Sequence, residues 1–220
     1  MKKSMISGTP AKWIDISRPL TPGIPVWPGD QPMRFDQSTE GKLLVSAYAS
    51  SCHAGTHMET AKHVDPTARG IESIPVDVLV GPADVVKVEA HRDVIVPNDL
   101  PVGWKPRANR VLLRTDSHPL GCPIEDGFCG LSPDLVHWLA DLNVELVGID
   151  TPSVDPFSSV DLPAHSALAH RGMTWIEGLW MEGVTPGRYV VVALPLPLVE
   201  AEAAPARVLL HPTFEPSVFD

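Results

Sequence analysis

The sequence predicts an α/β or α+β chain built on a mixed β-sheet, and three observations carry that reading. Short β-branched runs outnumber helical stretches and do not alternate with them cleanly, so a doubly wound parallel sheet fits less well. Hydrophobic residues occupy 44% of 220 positions and charged residues 20%, proportions that allow a proper core. Twenty-four prolines are spread along the chain with no repeat and no Gly/Ser-rich boundary, which fits long ordered loops inside one domain over residues 1–220.

The elements follow in order. Residues 13–17 (Trp-Ile-Asp-Ile-Ser) read as a short strand broken by Pro19, and five prolines between 19 and 32 make the next stretch a loop around Trp27. Residues 43–51 alternate, with Leu43, Val45, Ala47 and Ala49 on one strand face. Further β-branched runs lie at 85–88, 111–114 and 144–149, and the strongest strand, 189–194, is continuously apolar and stopped by Pro195. The clearest helix is 133–142: Ser132 suits the N-cap, Pro133 the first turn, and Asp134 the positive end of the dipole. Leu135, Leu139 and Leu142 follow near helical spacing, and Asn143 closes the helix. A second helix is expected at about 163–171, around His165 and Leu168.

Charge and composition exclude several classes of function. Lys and Arg total 17 against 27 Asp and Glu, a formal charge of -10, which works against nucleic-acid binding. No apolar run approaches the roughly 18–20 residues of a membrane span. The start Met-Lys-Lys-Ser-Met-Ile-Ser-Gly-Thr-Pro is basic but has no apolar stretch behind it, so no secretory leader is expected. Cys52, Cys122 and Cys129 are too few and too odd in number for a disulfide framework and read as reduced thiols of a cytoplasmic protein.

The chemistry concentrates in His53-Ala-Gly-Thr-His-Met-Glu-Thr-Ala-Lys-His63, which holds three of nine histidines and Glu59. Imidazole and carboxylate are ligands for zinc and similar metals, and three ligands with an open position make a catalytic geometry. The four side chains sit at odd positions, so a strand aims them to one side. A fully extended strand would separate His53 and His57 by about 13 Å, too far for one ion, so the chain has to bend, and Gly55 permits the bend. His118, Cys122 and Cys129 form a looser grouping whose spacing matches no zinc module. Cys52 reads as a small buried hydrophobe, and Asp150 and Asp155 as turn hydrogen-bonding groups flanking Pro152. No Gly-x-Ser-x-Gly elbow and no glycine-rich phosphate loop is present.

His53-x-Gly-Thr-His57-x-Glu59-x-x-x-His63 resembles the signature His-x-Gly-Thr-His-x-Asp-x-Pro-x-His of the cyclase-like metal-dependent hydrolases, the family of the bacterial arylformamidases and isatin hydrolases. Pro25-Val-Trp-Pro-Gly-Asp30, Gly148-Ile-Asp-Thr-Pro-Ser-Val-Asp-Pro156, Ala164-His165, Ile176-Glu177-Gly-Leu179 and Val192-Ala-Leu-Pro-Leu196 extend the likeness over roughly residues 13–210. The resemblance implies a swivelling-type α/β domain with a mixed, mainly antiparallel sheet core and flanking helices, assembled as a homodimer. It implies two zinc ions, with manganese as the other candidate, the first on His53, His57 and Glu59 and the second on Glu59, His165 and Glu177. His63 would stand in the acid/base position and Trp27 against an aromatic substrate, N-formylkynurenine, whose formamide a metal-bound hydroxide would cleave. A lactam, lactone or other amide such as isatin is the nearest alternative substrate, and a non-catalytic metal-binding descendant the more distant reading. The chain departs from the pattern at Glu59, one methylene longer than the family aspartate, at Ala61-Lys62 in place of Pro-Leu, and in an insertion over 117–130. Lys62 reads as a surface charge or as a contact for an acidic substrate group.

Overall fold

The computed structural model describes residues 13–89 and 93–212, so the reading of the first ten residues lies outside it. Among the described residues, β1 (Ile14–Asp15), β2 (Arg34–Glu40), β3 (Leu43–Ala49) and β4 (His57–Glu59) precede α1 (Val76–Leu79) and β5 (Val80–Lys87). β6 (Val94–Ile95), β7 (Arg110–Arg114), β8 (Gly130–Leu131) and α2 (Pro133–Asp141) come next. β9 (Leu146–Ile149), α3 (Pro163–His170), β10 (Thr174–Glu177), β11 (Gly187–Pro195) and β12 (Ala203–His211) follow.

Seven strands close on themselves in the order β12-β11-β5-β7-β9-β10-β4, because β4 pairs with β10 on one edge and with β12 on the other. β5, β7, β9 and β10 run parallel to one another, and the other neighbours are antiparallel. This corrects the expected architecture: the core is a closed mixed barrel, not a mainly antiparallel sheet covered by flanking helices. The reason lies in β12, which is long enough to serve two partners along one edge. Leu209 and Leu210 pair with β1, while Ala203, Ala204 and Pro205 pair with β4 and complete the ring. Closure leaves the barrel strands without open edges.

Strand alternation divides the apolar residues into two clusters. Met58, Val85, Leu112, Leu146, Ile176, Val191 and Val208 pack together inside the ring. There the space is tight: a Cβ on Gly148 would lie 2.5 Å from Leu112 Cδ2. Their neighbours Val86, Val111, Leu113, Val147, Ile149 and Trp175 point outward, against Leu135, Val136 and Leu139 of α2 and Ala164, Ala167 and Leu168 of α3. The caps of α2 match the sequence reading. Ser132 Oγ accepts from Leu135 N at 3.1 Å, and Asn143 turns the chain at φ +61°.

The β2–β3 hairpin is different. Among the described residues its strands pair only with each other and every residue of both is exposed, so nothing described covers the face carrying Leu43, Val45, Ala47 and Ala49. No helix among the described residues is long and apolar enough to cross a membrane.

Candidate metal centre

The motif segment bends at Gly55, whose φ of +68° is the left-handed turn that glycine allows. The chain then enters β4, three residues long. Met58 goes into the barrel, while His57 and Glu59 face the outer side. Across the antiparallel ladder Glu177 of β10 stands opposite His57, and Trp175 opposite Glu59. Thr60 ends the strand and caps the short turn Ala61–His63, accepting from Lys62 N at 3.3 Å. His165 arrives from the first turn of α3. The helix start is fixed by Asp155, whose carboxylate accepts from Ala164 N at 2.9 Å and His165 N at 3.0 Å.

The structure thus brings His53, His57, Glu59, His63, His165 and Glu177 into one site. Glu59 Oε1 lies 2.6 Å from His53 Nδ1 and 3.0 Å from His57 Nε2. Its other oxygen accepts from Trp175 Nε1 at 2.9 Å and lies 3.4 Å from His165 Nε2. Glu177 reaches His57 Nε2 at 3.2 Å and His165 Nε2 at 3.5 Å, and it accepts from Val154 N at 2.8 Å. One carboxylate thus stands between all three imidazoles. The ring of His63 lies 4.6 Å from that of His53 and 5.3 Å from that of His165. Trp27 joins the same cavity, about 420 Å³ in volume, and stacks on Phe157 with ring planes 12° apart.

Each inward-facing imidazole turns its remaining nitrogen to an oxygen. His57 Nδ1 donates to Gly55 O at 3.2 Å, His165 Nδ1 to Asp155 Oδ2 at 2.7 Å, and His53 Nε2 to Glu202 Oε1 at 3.2 Å. Fixing one nitrogen orients the other, the arrangement that metal-ligating histidines require. Two buried carboxylates facing three oriented imidazoles form a donor set of the right chemistry for divalent metal. In the metal-free protein the same groups hold protons. Burial opposes charge on His57, but hydrogen bonds to Glu177 and Glu59 outweigh it and push its pKa up to about 10. His165 is likewise disfavoured by burial and carried up to about 10 by Asp155 and Glu59. Burial works against the Glu59 carboxylate too, yet bonds from His165, His53 and His57 hold its pKa well below the usual range. His63 goes the other way, burial lowering its pKa below 6.5.

Other expected residues lie elsewhere. Lys62 donates to Glu200 at 3.1 Å and does not line the cavity. Cys52 is partly exposed instead of buried. Cys129 is buried beside Ser117, and neither it nor Cys122 belongs to a metal-holding group among the described residues. Asp150 was read as a turn group, but its carboxylate bonds across the sheet instead, accepting from Thr115 N and Asp116 N at the end of β7. Asp155 does more than the sequence reading gave it, and Glu202 and Trp175 were not singled out at all. Behind the site, Arg18 donates to the carbonyls of Gly178, His118 and Asp150 at 2.8–3.1 Å, and Thr56 Oγ1 donates to Gly178 O at 2.6 Å. This clamp presses the end of β10 against the Gly55 bend, so that a Cβ on Gly178 would lie 2.1 Å from Gly55 O.

The fold is shared with solved structures described as metal-dependent hydrolases. The family model "Putative cyclase" matches residues 14–156, and the chain belongs to that family. It is 39% identical over 212 residues to the kynurenine formamidase of Salinibacter ruber, covering 92% of this chain and 99% of that one. It also superposes on the structure of a predicted metal-dependent hydrolase from Bacillus stearothermophilus with a TM-score of 0.78 and 31% identity, over 90% of this chain and 97% of that one. Isatin hydrolase A from Labrenzia aggregata shares the fold at a TM-score of 0.77 and 23% identity, over 90% of this chain and 92% of that one.

Two outcomes follow for the protein itself. Gly103 has φ +74° with nothing near its missing Cβ, so Gly103→Ala carries only the cost of the left-handed backbone, about 1 kcal/mol. Gly178→Ala adds a backbone collision and is expected to cost about 1–3 kcal/mol more in urea unfolding; equal costs would sink the close-approach argument. The second outcome concerns pH. His57 and His165 bind protons more tightly folded than unfolded, so their contribution to metal-free stability is complete below pH 6.5 and is lost as pH rises through about 10. Thermal midpoints recorded with chelator present should fall over that interval, and His57→Gln should flatten part of the fall.

Proposed function

We propose that this chain is a metal-dependent amide hydrolase that cleaves the formamide of N-formylkynurenine to kynurenine and formate. The observation that carries the reading is the convergence of two buried carboxylates and three anchored imidazoles at the base of a cavity that also holds His63 and Trp27. The kinship with the kynurenine formamidase of Salinibacter ruber supports the choice of substrate. His53, His57 and Glu59 would hold one zinc ion and Glu59, His165 and Glu177 a second. Such ions supply Lewis acidity and make water acidic enough to provide a nucleophile near neutral pH.

The protein's own groups do the rest. Trp27, held flat by Phe157, offers its indole to the aromatic ring of the substrate. His63, neutral near pH 7 because burial disfavours its charge, takes a proton from the attacking water. It returns that proton to the aniline nitrogen as the carbon–nitrogen bond breaks, so that amine and formate leave without a high-energy anion. Among the described residues, the pocket walls carry no Lys or Arg, which fits a site whose cationic charge would come from the metal. We place the enzyme in the cytoplasm, where its free thiols stay reduced.

The hairpin suggests the assembly. An isolated two-stranded sheet is marginal in water. This one exposes Phe35, Leu43, Leu44, Val45 and Tyr48. A second copy of the chain would cover them in a homodimer.

Purified protein should contain about two zinc ions per chain and hydrolyse N-formylkynurenine in a chelator-sensitive manner. His63→Ala should lower turnover by about 10²–10⁴-fold and keep its metal. Turnover of isatin without turnover of N-formylkynurenine would move the assignment to a sister hydrolase, and full activity of His63→Ala would remove that residue from the chemistry. Sedimentation should give twice the chain mass, and Leu43→Lys with Tyr48→Lys should give monomers. A monomeric parent protein would refute the hairpin interface.

A further inference from the structure

Three imidazoles share one plan at this centre, an inner nitrogen toward the carboxylates and an outer nitrogen on an oxygen. They differ in how well the outer oxygen is protected. Gly55 O belongs to the backbone of the bend, and Asp155 is almost completely buried at the start of α3. Glu202 is more open, its side chain 37% exposed at the cavity, and its partner His53 is the most exposed of the three imidazoles at 14%, against 0% and 3%.

Glu202 is nevertheless not a loose surface charge. Its carbonyl accepts from Thr60 N at 3.0 Å and from Thr60 Oγ1 at 3.2 Å, and the next residue, Ala203, stands in register with Glu59. The root of this side chain is therefore fixed against β4, whose ligands it serves. From there its carboxylate meets His53 Nε2 at 3.2 Å, while His53 Nδ1 faces Glu59 at 2.6 Å.

We infer that Glu202 is a positioning residue that holds His53 in its metal-facing orientation, and that the His53–His57–Glu59 position is the exchangeable one of the pair. This rests on the metal-hydrolase reading above. Removing an outer-sphere acceptor lets the imidazole turn and lowers metal affinity by about 10–100-fold at the ligand it orients. The His165–Glu177 side keeps its own buried anchor and is unaffected. Exchange proceeds from the solvent side, through His53, because that is where both ligand and anchor are open.

Zinc-loaded protein titrated with a chromogenic chelator tests the assignment without reference to turnover. Glu202→Ala should weaken one zinc equivalent by about 10–100-fold and speed its release, leaving the other equivalent and the metal-free thermal midpoint unchanged. Glu202→Gln keeps an acceptor oxygen and should stay close to the parent protein. Unchanged affinity for both equivalents in Glu202→Ala overturns the inference. So does loss of a whole equivalent in both variants, which would make Glu202 a ligand. Parallel weakening of both equivalents with a lowered metal-free midpoint would make its role purely structural. A parent protein that takes up no zinc removes the metal-hydrolase reading itself, a result separate from all of these.

Discussion

Glu59 and Glu177 are both buried to 1% exposure, side by side on neighbouring strands, and the rest of the site is organised around that fact. A carboxylate taken out of water costs several kcal/mol or surrenders its charge unless partners come with it. Here the partners are His53, His57, His165, the indole of Trp175 and the amide of Val154. None is close to both carboxylates in sequence. They meet because a three-residue strand is gripped on both edges, by β10 and by β12, and because α3 begins beside it. The partners outweigh the cost of burial, and that same cost makes the carboxylate pair a strong attractor for cations, protons in one state and metal in the other.

How much of this the sequence disclosed depends on distance along the chain. The 53–63 segment was readable because its ligands are local and their spacing demands a bend, which falls at Gly55 with φ +68°. His165 and Glu177 came only through likeness to a family, since a lone histidine on an alanine-rich helix and a glutamate on a strand carry no intrinsic signal. Asp155 was seen as a turn residue, but its bond to His165 spans ten positions and needs the helix to be in place. Glu202 sits in Glu-Ala-Glu-Ala-Ala, a stretch whose composition announces nothing.

The fold divides in the same way. β7, β9, β11 and α2 are dense in β-branched or capped sequence and were legible within a residue or two. β12 was missed because alanines and Pro205 argue against a strand, and a central proline would break one. It survives because Pro205 lies where the ladder hands over: Ala206 N donates to Thr56 O beyond it, and Leu196 N donates to Pro205 O. With that strand unseen, nothing in the sequence could show that the sheet closes. The strand read at 43–51 is present as Leu43–Ala49, but alternation alone could not tell that, among the described residues, no core lies beneath its apolar face.

The division between inner and outer barrel faces has a further meaning. Met58 and Ile176 belong to the packed interior, while His57, Glu59, Trp175 and Glu177, one step along the same strands, belong to the reactive face. The barrel interior is thus given over to packing alone, while the outer side carries both the reactive groups and the cluster under α2 and α3. The walls of the cavity around Trp27, Ser153, Ser159 and Leu162 come from loops and helix ends outside the barrel strands. Such a layout lets ancestry explore new substrates by rewriting loops, with the interior that keeps the molecule folded left out of the experiment.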